Sequence, residues 1–194
     1  MKLYSTLDKK IVEIEPNKDG VISMYNCGPT VYFRMHLGNI RAYINWDVLH
    51  RALLYLGYKV KRVMNLTDVG HMTSQDDFGD DFGTDKMDKQ AEKEGVEPID
   101  IANKYIDTVL DDYRKLHILA PDGREIPSEM NYEQVAEYGW TRATEYINEM
   151  IEIVKRMEER GYTYETDQAV YFDVTKVPDY NIFTGQDLSE KQIG

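Results

Sequence analysis

Apolar residues in this chain run together or alternate over two short stretches and recur at helical spacing over longer ones. Val21 to Tyr25 is a short apolar run after Asn17-Lys18-Asp19-Gly20, which predicts a turn feeding a buried strand. Ile40, Tyr43, Ile44, Val48, Ala52 and Tyr55 then predict the apolar face of a long helix. Arg41, Asn45 and Arg51 lie away from that stripe, and Gly57 suits a left-handed helix end. Lys59 to Asn65 alternates as a second strand. Strand, helix and strand in this order require a right-handed crossover and a parallel pair. Ahead of them, Leu3 to Glu15 alternates weakly and predicts an edge strand or hairpin.

The second half of the chain is mostly helical by the same measure. Pro98 to Leu119 predicts a helix with Ala102, Ile106, Val109, Tyr113 and Leu116 on one side, Pro98 falling in its first turn. Pro121-Asp122-Gly123 and Pro127 mark a loop, and Asn131 with Gln134 is a capping pair for a short helix. Arg142-Ala143-Thr144-Glu145 leads into a helix carrying Ile147, Met150, Ile151, Val154 and Met157, which Gly161 stops. Tyr162 to Asp173 predicts a hairpin turning at Thr166 to Gln168, and Asp179 to Gly194 reads as loop. No internal repeat or low-complexity tract interrupts the pattern.

Composition narrows the class. With 194 residues, 42% of them hydrophobic, the chain can bury a core as one or two domains. No apolar run approaches the roughly 20 residues of a membrane span, and Met1 to Lys10 lacks the hydrophobic centre of a signal peptide. A single cysteine excludes an internal disulfide, so a reducing cytoplasm is the expected location. The net charge of −12 argues against nucleic-acid binding by this segment, because phosphate contacts come from Lys and Arg.

Chemistry concentrates between Met24 and Asn45. The first strand runs into Cys27-Gly28-Pro29-Thr30, and a short loop leads to His36-Leu37-Gly38-Asn39 at the mouth of the long helix. The first N–H groups of a helix lack intrahelical partners and its dipole is positive there, so this is a place for anionic phosphate. Strand–helix–strand with such a turn reads as half of a nucleotide-binding α/β domain. Asn65-Leu66-Thr67-Asp68 follows at the carboxyl end of the second strand, where open α/β sheets bind ligands.

Together these segments resemble the class I aminoacyl-tRNA synthetases in their cysteinyl form. The first class I signature is His-(Ile/Leu)-Gly-(His/Asn), here His36-Leu37-Gly38-Asn39, preceded as in that family by C-G-x-T-V-Y at Cys27 to Tyr32. A family N-(I/V)-T-D is matched by Asn65 to Asp68, and R-A-T-E-Y-I and Y-F-D-V extend the likeness over nearly the whole chain. The fold implied is the first half of a Rossmann-type nucleotide-binding domain with the start of an inserted connective domain. Residues 1–119 would form the former, with an acidic insertion at about 69–85, and 120–194 the latter, with the second half of the catalytic fold absent.

The resemblance implies ATP-dependent ligation of cysteine to tRNA(Cys) through cysteinyl-adenylate. His36 and Asn39 would be catalytic, donating hydrogen bonds to ATP phosphates. Pro29, Thr30 and Gly38 would join them around ATP and its Mg²⁺, and Gly28, Thr30 and Thr67 would line the amino-acid pocket. Cys27 would be one ligand of a zinc ion that captures the substrate thiolate, the remaining ligands having no match in this chain. Asn39 departs from the second histidine usual in cysteinyl enzymes; its amide can donate a hydrogen bond but cannot become cationic. The resemblance further implies that the chain alone is inactive and is a partial product or half of a split enzyme, whose missing carboxyl half would be a partner. Two alternatives stand beside this one: a mycothiol-type cysteine ligase, and a non-catalytic nucleotide-binding module.

Four tempting signals carry less than they suggest. Lys86-Met87-Asp88-Lys89 resembles the second class I signature but falls where a helix should open. Asp76, Asp77, Asp80, Asp81 and Asp85 invite a calcium loop, yet starting from Asp76 or Asp80 the third position is Phe78 or Phe82. His71 and His117 have no identifiable partners, and Cys27 alone cannot hold zinc tightly.

Overall fold

The computed structural model describes residues 1–69, 86–167 and 169–183. The chain divides into two units, Glu15–Glu145 and Met1–Ile14 with Tyr146–Gly194. In the second of these, β1 (Lys2–Ser5) and β2 (Lys10–Glu13) pair antiparallel, so the weak alternation near the N-terminus is a hairpin.

The Glu15–Glu145 unit is built on a parallel sheet. Asn17 accepts from the backbone N–H groups of Asp19 and Val21 through Oδ1, and Gly20 takes φ of +73°, which sets up β3 (Val21–Asn26). After α1 (Leu37–Tyr55), β4 (Lys59–Leu66) lies parallel to β3, with Val21 opposite Lys59 and Asn26 opposite Met64. The expected strand–helix–strand unit is therefore present. Gly57, at φ +80°, donates to the Leu54 carbonyl, and Tyr58 donates to that of Leu53, the two bonds of a Schellman closure.

α2 (Lys86–Glu94) and α3 (Pro98–Lys115) follow. Lys86 opens a helix, as the sequence reading holds against the second-signature alternative; the acidic stretch before it, His71 included, lies outside the described residues. α3 buries Ile101, Ala102, Ile106, Val109, Leu110 and Tyr113, and Leu116 lies beyond its end, 40% exposed. Tyr113 is the pivot of the core: its ring sits 5.7 Å from Tyr43 and 6.1 Å from Trp140, and its hydroxyl meets Met64 Sδ at 3.4 Å. A 3₁₀ helix at Tyr132–Tyr138 carries the expected capping pair, Asn131 with Gln134.

Two expectations need correcting. Trp140–Arg142, of which the sequence reading placed only Arg142 and put it in the approach to a helix, is a strand, β5, which pairs parallel with β4 and completes the order β3-β4-β5. Three residues with one buried apolar side chain carry almost no periodicity, and Trp140 earns its place only by packing on Tyr113. The buried face of α1 is also rotated from the apolar stripe: Tyr43, Asp47, His50 and Leu53 are buried, while Val48 is 60% and Tyr55 91% exposed. Asp47 and His50 go inside because partners wait there. Asp47 accepts from Leu119 N–H at 2.9 Å and from Arg51 at 2.7 Å, and His50 lies against Arg62 at 3.4 Å.

In the other unit, α4 (Ile147–Glu159) ends at Gly161, φ +74°, with a second Schellman closure from Gly161 to Glu158 and Tyr162 to Met157. β6 (Thr163–Glu165) and β7 (Val170–Phe172) form the expected hairpin. Rings stack across it, Tyr164 on Tyr171 at 5.5 Å and Tyr162 near Phe172 at 6.2 Å. No helix of the described residues is long and apolar enough to cross a membrane.

Candidate functional site

All three strands of the sheet end on the same side, and the site residues sit on the loops that leave them. The loop from Cys27 to His36 is pinned from several directions. Asn26, 2% exposed, is held at its Oδ1 by the buried Arg62 at 2.6 Å, immediately before Cys27. Val31 and Met35 are buried in the core. Val31 N–H donates to the Thr67 carbonyl at 3.1 Å and Thr67 N–H to the Pro29 carbonyl at 3.0 Å, extending the parallel pairing past the strand ends. Arg34 grips Asp112 of α3 through two nitrogens, at 2.7 and 3.3 Å.

This loop and the start of α1 enclose a cleft of about 220 Å³ lined by Pro29, Thr30, Tyr32, Phe33, Met35, His36 and Asn39. His36, rather than Asn39, is the N-cap: its Nδ1 accepts from Gly38 N–H at 3.0 Å, and Asn39 Oδ1 accepts in return from His36 N–H at 3.2 Å. The reciprocal cap decides what these side chains have left to offer. An accepting Nδ1 places the proton of a neutral imidazole on Nε2, and with Oδ1 accepting, the Nδ2 hydrogens of Asn39 have no partner among the described residues. Both residues therefore retain N–H donors in a cleft at the positive end of α1. Gly38 is required by the cap itself, because a Cβ there would stand 2.8 Å from His36 Cε1.

Across the strand ends, Asn65 ties the two halves of the site together. Its Oδ1 accepts from Gly28 N–H at 2.7 Å and from Tyr25 hydroxyl at 3.0 Å, and its Nδ2 donates to Thr67 Oγ1 at 2.8 Å. Gly28 has no room for a side chain, since a Cβ would collide with the Asn65 carbonyl. Sequence reading names Asn65 only as part of a motif; a polar residue pointing off the end of a central strand beside Gly and Thr is the available signal. Cys27 is exposed, and among the described residues no three His, Cys, Asp or Glu side chains cluster to hold a metal. The described residues thus do not make a zinc site by themselves.

Asp68 lies deeper. It is 3% exposed and receives Arg142 Nε at 2.7 Å, Thr144 N–H at 2.9 Å and Thr144 hydroxyl at 2.7 Å, while Arg142 also donates to Asn103 at 2.8 Å. It fastens the loop after β5 to the end of β4, not merely the turn after its own strand. Burial pushes the Tyr43 hydroxyl up to about 12 and pushes that of Tyr113 further in the same direction, so neither phenol supplies a proton near neutrality.

The chain matches a family model for the catalytic domain of the class I (C) tRNA synthetases over residues 13–194. It belongs to that family. It is 38% identical over 194 residues to a cysteine–tRNA ligase of Treponema denticola, covering 100% of this chain and 35% of that protein. A cysteine–tRNA ligase of Thermus thermophilus is 38% identical over 192 residues, covering 99% of this chain and 36% of the relative. One of Pyrococcus abyssi is 35% identical over 194 residues, covering 100% and 34%. The chain thus spans about a third of the length of these curated relatives. The parallel sheet and mixed α/β content are those expected of a class I synthetase catalytic domain.

Proposed function

We propose that this chain is the ATP-facing segment of a cysteine–tRNA ligase. The observation that carries it is the reciprocal His36–Asn39 cap, which leaves two side-chain N–H donors in the cleft at the start of α1. In the proposed reaction the cysteine carboxylate attacks the α-phosphorus of Mg²⁺-bound ATP, pyrophosphate leaves, and the cysteinyl group then passes from the adenylate to tRNA(Cys). His36 Nε2–H and Asn39 Nδ2–H donate to phosphate oxygens as negative charge builds during adenylate formation. Pro29, Thr30 and Gly38 shape the nucleotide side of the cleft, and Gly28, Thr30 and Thr67 face the amino acid. Cys27 would supply one thiolate to a zinc ion whose other ligands come from elsewhere in the ligase, and its exposure suits that role.

The proposed layout gives the first catalytic half to residues 1–119 and a connective segment to 120–194. β5 and the extent of the Glu15–Glu145 unit favour a boundary nearer residue 145. Cytoplasmic location belongs to the same proposal. The test is cysteine-dependent ATP–pyrophosphate exchange by the full-length protein that contains this segment. His36→Ala is expected to lower kcat about a hundredfold, in the range for removing one donor to developing charge. Exchange driven by an amino acid other than cysteine, or unaffected by His36→Ala, overturns the reading.

A further inference from the structure

Asn65 has a polarity that the backbone forces on it. Gly28 N–H can only donate, so the atom facing it at 2.7 Å is Oδ1, and the atom facing Thr67 Oγ1 at 2.8 Å is therefore Nδ2. Tyr25 hydroxyl, which can donate or accept, donates to the same Oδ1 at 3.0 Å. An amide NH₂ cannot accept, so Thr67 cannot spend its own hydroxyl proton on Asn65. Thr67 Oγ1 donates to no other group among the described residues. The threonine is meanwhile fixed in place by its backbone, through Thr67 N–H to Pro29 and Val31 N–H to Thr67.

We infer that Asn65 is a positioning residue that holds Thr67 as a hydrogen-bond donor toward an acceptor group of the bound amino acid, and couples that donor to the Cys27-Gly28 turn. This inference rests on the proposed amino-acid pocket. One amide reaches both walls of that pocket, so a displacement of the Gly28 turn moves the threonine hydroxyl with it. The acceptor is a thiolate or a carboxylate, each of which would take the free proton in a charge-assisted bond.

Asn65→Asp separates the parts. It is nearly isosteric and keeps an acceptor for Gly28 N–H, but it replaces the NH₂ by a second acceptor that captures the threonine proton. Exchange kinetics of the full-length protein test the inference with Asn65→Asp, Thr67→Val, Thr67→Ser, Tyr25→Phe and a double variant that combines Asn65→Asp with Thr67→Val. Asn65→Asp and Thr67→Val are each expected to raise KM for the amino acid about tenfold or more, with KM for ATP within about twofold. The double variant is expected to be no worse than about twofold beyond Thr67→Val, since both remove the same proton. Tyr25→Phe is expected to stay near wild type, and Thr67→Ser, which keeps the hydroxyl donor, to recover most of what Thr67→Val loses. Asn65→Asp within twofold of wild type, or an equal rise in both KM values, or multiplicative losses in the double variant, overturns the inference. The wild type is assayed with all twenty amino acids: activation of one other than cysteine overturns the proposed substrate while the same comparison runs on that amino acid, and exchange with none overturns both. Inhibition by cysteamine, which lacks a carboxylate, locates the acceptor. If Asn65→Asp weakens that inhibition as it weakens cysteine, the proton goes to sulfur; if inhibition is unchanged, it goes to the carboxylate. Either result supports the inference.

Discussion

His50 shows how far a single residue departs from the company its sequence suggests. It sits in a stretch of apolar neighbours, fully buried, with Nδ1 3.4 Å from Arg62 and Nε2 without a protein partner among the described residues. Burial first and the Arg62 cation second lower its pKa; Asp47 pulls it back up by more than Arg51 lowers it, Asp122 raises it least, and the net shift is downward. A lowered pKa in the folded state means that the unfolded chain takes up the proton first as pH falls. The stability carried by neutral His50 is therefore intact above its ordinary value, near 6.5, and is lost as pH falls below it. Thermal melts of the wild type from pH 7.5 to 5 should show a falling midpoint, and His50→Gln should flatten that slope. A slope unchanged by the substitution would assign the acid sensitivity to another group.

Among elements, β5 is the one that sequence periodicity did not reveal, and Asp68 explains how so short a strand is held. Asp68 is buried with a side chain of 0% exposure against an Arg142 side chain of 11%, and three hydrogen bonds converge on its two oxygens. Removing one member of such a pair leaves the other charge buried without compensation, which costs about 3–5 kcal/mol. Asp68→Ala is accordingly expected to lose stability of that order in urea denaturation, whereas Asp68→Asn, which retains an acceptor, should lose less. Equal and small losses in both would mean that Arg142 finds water instead. The amphipathic reading of α1 failed for a related reason. Helical spacing located the helix and both its ends, but which face turns inward depended on Asp47 meeting Leu119 N–H and His50 meeting Arg62.

For the whole molecule, the site draws its parts from segments far apart in sequence, and a metal centre would draw on more. A tetrahedral zinc takes four ligands, and Cys27 is exposed with no cluster of three candidate ligands among the described residues. The 194-residue chain is therefore expected to bind zinc no more tightly than its Cys27→Ser variant when titrated against a competing chelator. Stoichiometric zinc that survives gel filtration, and is lost on that substitution, would reveal ligands this reading has missed.

Local rules settle some of this architecture. Gly57 and Gly161 end their helices in positive φ, Asn131 and Gln134 cap theirs, and β3, α1 and β4 follow from periods of two and 3.6, because each depends on residues within a few positions of one another. The order Cys27-Gly28, His36-Leu37-Gly38-Asn39 and Asn65-Leu66-Thr67-Asp68 likewise puts these segments at the carboxyl ends of β3 and β4. Only the tertiary structure decided that His36 and not Asn39 caps α1, that Asp68 belongs to the loop after β5, and that Asn65 turns its NH₂ toward Thr67. The roles of Asp68 and Asn65 depend on which donor stands opposite which acceptor across tens of residues, and that of His36 on which of two nearby polar side chains turns back to the helix start; hydrogen-bond polarity, unlike hydrophobic spacing, leaves no period in a sequence.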